Sequence, residues 1–342
     1  MQNRRKFLKF GALIASASIA HPLASFSIPT NLMQQGKLVP LALKKGDKVV
    51  IISPAGAVYD VAKIKEFKNT LINLGFVVTL AKSVSKTYGY LAGTDEERAA
   101  DVNEAFADKS IKGIFCTRGG WGCARILDLL DYKSIADNPK FIMGFSDITS
   151  LLIGINTKVN LITFHGPVGL SSWDPFSVSC FNNTIILGSK NIFPCRREDD
   201  VLALAPGIAQ GELIGGNLSV FVSLIGTNYL PDFDRKILFL EELNEDPYKI
   251  DRMLMQINQS GIFDKLAGLV FGVFSNCHPE NIDQSFPLLE VIKHHVLPLN
   301  IPVIYNAPFG HTTKKWTIPI GALAEINADN LSLELLEPAV LV

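Results

Sequence analysis

The sequence predicts an α/β fold: a parallel sheet with helices on both faces, followed by a second α/β unit. Three observations carry that prediction. Apolar runs of strand length alternate with segments of helical periodicity from Lys48 to Phe164. Several of these runs open into glycine- or proline-bearing turns. The alternation lapses over residues 170–208 and resumes near Gly211. Strands and helices alternating at this pace form βαβ units, whose crossovers cover both faces of a parallel sheet.

The elements follow in order. Lys48–Ser53 (KVVIIS) reads as a buried strand ending in Pro54-Ala55-Gly56. Val61, Ile64, Phe67, Leu71 and Leu74 then recur at helical spacing until Gly75 stops the helix. Phe76–Leu80 is a second strand. Thr94-Asp95-Glu96-Glu97 reads as a capping box that starts a helix running to about Phe106. Ile111–Cys116 is a third strand. Thr117-Arg118-Gly119-Gly120-Trp121-Gly122 follows it, then a helix carrying Ile126, Leu127 and Leu130. Phe141-Ile142-Met143 runs into Gly144-Phe145-Ser146-Asp147 and a helical pattern (Ile148, Leu151, Leu152, Ile155). Leu161–Phe164 precedes His165-Gly166-Pro167.

Beyond the 171–208 connector, Gly215-Gly216-Asn217 leads into a helix and Lys236–Leu240 is a strand ending in Glu241-Glu242. Asp246–Ile257 reads as helical, as does the region near Leu288–His295. Strands are expected at Gly268–Phe274 and Pro302–Asn306, and Ile318–Leu336 alternates as hairpin material around Asn327–Asn330.

Composition excludes several classes. Of 342 residues, 48% are hydrophobic and 19% charged, so a large core is available and disorder is not expected. The net charge of −1, with no basic run past the first ten residues, gives nucleic-acid binding no electrostatic support. The N-terminus reads as an export signal over residues 1–27. Asn3-Arg4-Arg5-Lys6-Phe7-Leu8-Lys9 is a charged segment, Phe10–Ala20 a short apolar one, and Ala20, Ala24 and Ser27 are candidate cleavage points. RRKFLK resembles the twin-arginine motif, which places the mature protein in the periplasm or otherwise outside the cytoplasm. An uncleaved basic tail is the alternative and would leave the protein cytoplasmic. The apolar segment is too short for a membrane span. The five cysteines contain no C-x-x-C pair, so no metal site and no cofactor are expected. Cys180 and Cys195 would pair in an oxidising compartment, but free thiols are the simpler reading.

The strand–turn–helix around Ser146 is the most informative stretch. A serine at such a bend points its hydroxyl into a cleft, beside the N–H groups of the new helix's first turn. That is the logic of a nucleophile elbow, although position 148 is Ile where the G-x-S-x-G pattern has Gly. The competing reading is a helix N-terminus capped by Ser146 or Asp147. In a parallel sheet, ligands bind outside the carboxyl ends of the strands, so the glycine-rich loop and the Ser146 turn can share a cleft. A nucleophilic serine needs a base and the base an orienting acid. His165 and His311 both follow strands, His278 lies in a polar loop, and His294 and His295 sit on an amphipathic helix face. Glu241 and Glu242 end a strand and alternate to opposite faces, so only one of them can point into a given site. Spacing alone leaves both choices open.

TRGGWG at 117–122, GFSD at 144–147, TFHGP at 163–167, GGNLS at 215–219, LFLEE at 238–242, PYKIDRML at 247–254 and FGHT at 309–312 occur in that order. Together they resemble the LD-carboxypeptidases, serine peptidases of family S66 (muramoyl-tetrapeptide carboxypeptidases), over about residues 45–340. The resemblance implies a flavodoxin-like nucleophile domain at 45–170, a connector at 171–208, a smaller β-rich α/β domain at 209–342 and a homodimer. By position it implies Ser146 as nucleophile, Glu241 as acid and His311 as base. The backbone N–H groups of Asp147 and Gly120 would form the oxyanion hole, with Arg118, Gly119, Trp121 and Asn217 at the substrate. The Asp147 side chain is expected as a cap or helix-dipole partner. Arg118 is the candidate for the free terminal carboxylate that a carboxypeptidase must hold. The implied partner is a muropeptide or peptidoglycan stem peptide, and the implied reaction releases its terminal D-alanine. Two other readings stand beside it: a microcin-immunity peptidase cleaving peptidyl or aminoacyl nucleotide conjugates, and a non-enzymatic periplasmic solute-binding protein.

Overall fold

Runs rich in Val, Ile and Phe supply strands that are buried along most of their length, as a parallel sheet covered on both faces requires. A computed structural model describes residues 36–190, 192–194 and 200–342. The export signal expected at 1–27 lies outside the described residues, as does Cys195. Cys180 is buried.

The strands are β1 (Lys48–Ile52), β2 (Val77–Leu80), β3 (Ile111–Cys116), β4 (Phe141–Gly144), β5 (Thr163–His165), β6 (Ile192–Pro194) and β7 (Leu202–Ala205). They continue as β8 (Ile208–Asn217), β9 (Ile237–Leu243), β10 (Gly268–Ser275), β11 (Val303–Tyr305), β12 (Ile318–Ile320), β13 (Leu323–Asn327) and β14 (Ser332–Leu335). The α-helices are α1 (Val61–Asn73), α2 (Asp95–Ala107), α3 (Tyr132–Asp137), α4 (Ile148–Val159), α5 (Pro175–Phe181), α6 (Leu218–Ser223), α7 (Pro247–Gln259) and α8 (Leu288–Val296). No described helix is long and apolar enough to cross a membrane.

The first sheet has the order β12-β5-β4-β3-β1-β2. Its parallel part, 2-1-3-4-5, is the flavodoxin-like order. The predicted capping box forms: the Thr94 side chain accepts from Glu97 N, and the Glu97 side chain accepts from Thr94 N, at the start of α2. The helix expected after the glycine turn is a 3₁₀ turn, Ala124–Leu129.

The second sheet has eight strands, β6-β14-β13-β8-β9-β10-β11-β7. Its centre, β8 to β11, is parallel, and antiparallel strands flank it. The segment expected to be a connector supplies β6 and β7, the two opposite edges of this sheet. One expectation is corrected at the C-terminus. β13 and β14 form the predicted hairpin, but Ile318–Ile320 does not belong to it. That triplet pairs antiparallel with β5 at the edge of the first sheet, where Pro319 has no inner neighbour needing its missing N–H.

Candidate active site

The site assembles at the carboxyl ends of parallel strands in both sheets. Ser146 follows β4, the glycine turn follows β3, Asn217 ends β8, Glu241 lies near the end of β9, and His311 comes in the loop after β11. Ser146, Gly120, Trp121, Asn217 and His311 line one cleft of about 1080 Å³.

Ser146 sits at φ +62°, a left-handed conformation that a non-glycine residue adopts at a cost of about 1–3 kcal/mol. The buried apolar side chains of α4, among them Leu151, Leu152 and Ile155, hold the turn in that state. Gly119 then allows the glycine turn to close on the serine. A Cβ at position 119 would lie 2.6 Å from Ser146 Cβ and 2.7 Å from its Oγ. The N–H groups of Asp147 and Gly120 donate no hydrogen bond within the described residues. They remain available to an oxygen developing negative charge beside Ser146.

Asp147 departs from expectation. Its carboxylate caps no N–H of α4. It accepts from the backbone N–H of Cys123 at 2.8 Å, fastening the residue after the serine to the end of the glycine turn. Burial raises the Asp147 pKa, with the Cys123 bond opposing. The same end of the turn is tied again by buried Arg98, whose Nη1 donates to the carbonyls of Gly122 (2.9 Å) and of Pro54 (2.5 Å) after β1. The end of the loop is therefore clamped twice, at Gly122 and at Cys123, before any ligand enters.

The two open choices resolve into different environments. Glu241 is fully buried, and its Oε2 accepts from His311 Nδ1 at 2.7 Å and from the His311 backbone N–H at 3.2 Å. Burial pushes this carboxyl upward, but the bonds and charge of His311 outweigh it and hold the pKa below the usual value. Gly310, at φ +97°, makes the contact possible, since a Cβ there would lie 2.6 Å from Glu241 Oε2. With Nδ1 held, the Nε2 edge of His311 is the one left for a substrate or serine proton. The Ser146 hydroxyl and His311 share the cleft without a hydrogen bond between them, a bond that often tightens only when substrate is present. Glu242, on the opposite face, accepts instead from Asn217 Nδ2 (2.9 Å) and the Ser219 N–H (2.7 Å).

His165 is packed edge-on among Phe145, Phe239 and Phe309. Burial drives its pKa down to about 4, against the pull of Glu241. It is therefore neutral in the fold but binds a proton near its ordinary value of about 6.5 when unfolded. Stability attached to this group is present above pH 6.5 and is lost as pH falls toward 4. The expected loss between pH 7 and pH 5 is about 2 kcal/mol. Urea unfolding of the wild type and His165→Gln at both pH values checks this: equal losses in the two proteins would remove His165 as the cause.

The remaining predicted residues have mixed fates. Arg118 Nη1 donates to the Ala57 carbonyl at 3.1 Å, on the glycine-turn side of the cleft. Trp121 is 61% exposed and meets Tyr90 edge-on at 5.8 Å. Asn217 is buried and committed internally, its Oδ1 accepting from Val220 N as the cap of α6. Thr149 Oγ1, which the sequence reading missed, accepts from Asn217 N at 3.0 Å and so links α4 to β8. Lys315 was also missed; it lines the cleft although it is only 5% exposed. No group of three or more metal-ligating side chains converges among the described residues.

Fold and cleft together define the class: a two-sheet α/β protein with a strained serine turn on one sheet and a carboxylate-held histidine on the other. Residues 49–166 match the LD-carboxypeptidase N-terminal domain and residues 210–326 the LD-carboxypeptidase C-terminal domain. The chain is 37% identical over 294 residues to the probable murein peptide carboxypeptidase of Bacillus subtilis, covering 84% of this chain and 91% of that one. It thus belongs to the LD-carboxypeptidase family, peptidase family S66. It is also 27% identical to the microcin C7 self-immunity protein MccF of Escherichia coli, covering 90% and 98% of the two chains. The structure of MccF with aspartyl sulfamoyl adenosine superposes with a TM-score of 0.80 over 89% of this chain and 99% of that one, at 26% identity. The muramoyltetrapeptide carboxypeptidase structure from Oxalobacter formigenes gives 0.75 at 29% identity, covering 84% and 97%.

Proposed function

We propose that this protein is a serine carboxypeptidase that hydrolyses an L,D-peptide bond and releases the terminal D-alanine of peptidoglycan tetrapeptide stems. The observation that carries the reading is the Glu241–His311 hydrogen bond in the cleft lined by the strained Ser146. In this reading Glu241 fixes the His311 tautomer with the proton on Nδ1, and Nε2 takes the proton of the Ser146 hydroxyl. Ser146 Oγ attacks the carbonyl carbon of the penultimate residue. The oxyanion receives the N–H groups of Asp147 and Gly120. The C–N bond breaks as His311 passes its proton to the departing D-alanine nitrogen. Water, deprotonated by His311, then cleaves the acyl-serine ester and restores the hydroxyl. The basic and apolar runs at residues 3–20 support a setting outside the cytoplasm, where stem peptides occur.

A second reading keeps the chemistry and changes the substrate to an aminoacyl nucleotide conjugate. It is favoured by the exposed Trp121 at the cleft, a surface on which a base can stack. The deciding experiment incubates the purified protein with a disaccharide-tetrapeptide and follows mass. Loss of one alanine is the expected result. An intact tetrapeptide alongside cleavage of an aminoacyl sulfamoyl nucleoside would replace the first reading by the second.

A further inference from the structure

Lys315 is a buried cation without an acid. Its Nζ donates to the Thr312 carbonyl and lies 5.7 Å from the centre of the Phe145 ring. That ring meets His311 edge-on at 4.8 Å. No carboxylate lies within ion-pair distance of Lys315 among the described residues. The two acids whose fields reach it are Asp174 and Glu241, and both are committed elsewhere. Asp174 caps α5, accepting from Phe176 N and Ser177 Oγ, and Glu241 holds His311. Burial accordingly holds the lysine's pKa below its usual value. An ammonium withdrawn from water is costly unless an anion joins it, and this one borders the cleft.

The side of the cleft on which it stands selects the anion. In the proposed reaction His311 protonates the departing amine. In the departing residue the carboxylate is attached to the carbon that bears that amine. A group that binds this carboxylate therefore belongs beside His311, away from the oxyanion donors. Lys315 is four residues past His311 and bonded to the carbonyl of the very next residue. Arg118, the sequence-based candidate, stands on the glycine turn with its guanidinium on the Ala57 carbonyl, the side of the acyl oxygen.

We propose that the Lys315 ammonium binds the free terminal carboxylate of the departing residue and so confines the enzyme to chain ends. This inference rests on the carboxypeptidase reading. Its test compares kcat/KM for a tetrapeptide ending in D-alanine with that for the same peptide ending in D-alaninamide. Each protein supplies its own ratio, so a loss of folded material cancels.

The wild type is expected to favour the free acid by about 100-fold, the scale of a charge-assisted hydrogen bond. Lys315→Gln collapses that ratio toward one, Lys315→Arg retains most of it, and Arg118→Gln leaves it in place. For a variant too slow to assay, the ratio of the two dissociation constants on a Ser146→Ala background reads the same quantity. A Lys315→Gln ratio equal to the wild type, or a collapse in Arg118→Gln instead, overturns the assignment while the carboxypeptidase reading stands. Wild-type protein that cleaves neither peptide overturns both.

Discussion

In the proposed reaction, replacing Ser146 by alanine is expected to lower kcat for D-alanine release by about 10⁴- to 10⁶-fold, the largest single effect of any substitution considered. The substitution removes one oxygen and adds no atom to a turn already closed on Gly119. Alanine meets the same φ +62° as serine, so the turn keeps its geometry and its strain. Circular dichroism and urea unfolding should match the wild type within about 0.5 kcal/mol. Substrate affinity should also survive, because the rest of the cleft lining is untouched. A variant that keeps a tenth or more of wild-type turnover would mean that Ser146 is not the attacking group.

Glu241→Gln is the second large effect, a fall in kcat of about 10²- to 10⁴-fold. Glu241 Oε2 accepts twice from His311, through Nδ1 and through the backbone N–H. A glutamine has one oxygen and one amino group at this position. With the oxygen toward His311 the hydrogen bonds survive, but the charge that stabilises the imidazolium is gone. With the amino group toward the ring, Nδ1 becomes an acceptor and Nε2 carries the proton, which removes the base. Either orientation leaves the nucleophile present, so the variant should still label slowly with a serine-directed phosphonate. Near-normal turnover would show that His311 acts without Glu241.

Local grammar carried the first sheet. The five apolar runs, the Thr94 capping box and the bend at Ser146 each depend on neighbours within about fifteen residues, and each stands where its pattern indicated. Partner choice was not local. Ile318-Pro319-Ile320 is a triplet that reads equally well as the start of a hairpin, and only its register with His165 assigns it to the other sheet. The same holds in the cleft. Strand alternation separated Glu241 from Glu242 without saying which faces a histidine, and both His165 and His311 follow strands. What divides them is surroundings: three phenylalanine rings for one, a buried carboxylate for the other. Lys315 carried no signal, since Lys314-Lys315 looks like any solvated pair until burial is known.

The return of β12 to the first sheet has a consequence for how this chain is made. Synthesis runs from the N-terminus, so the first five strands of that sheet emerge while the piece that covers the outer side of β5 is still about 150 residues from being translated. During that interval β5 offers bare N–H and C=O groups to any other extended chain, the situation from which intermolecular pairing starts. The His311 loop immediately precedes β12, so the segment that closes this edge also brings the histidine to its glutamate. A nascent chain released early is therefore both sticky and inert, and the two faults are cured in the same step.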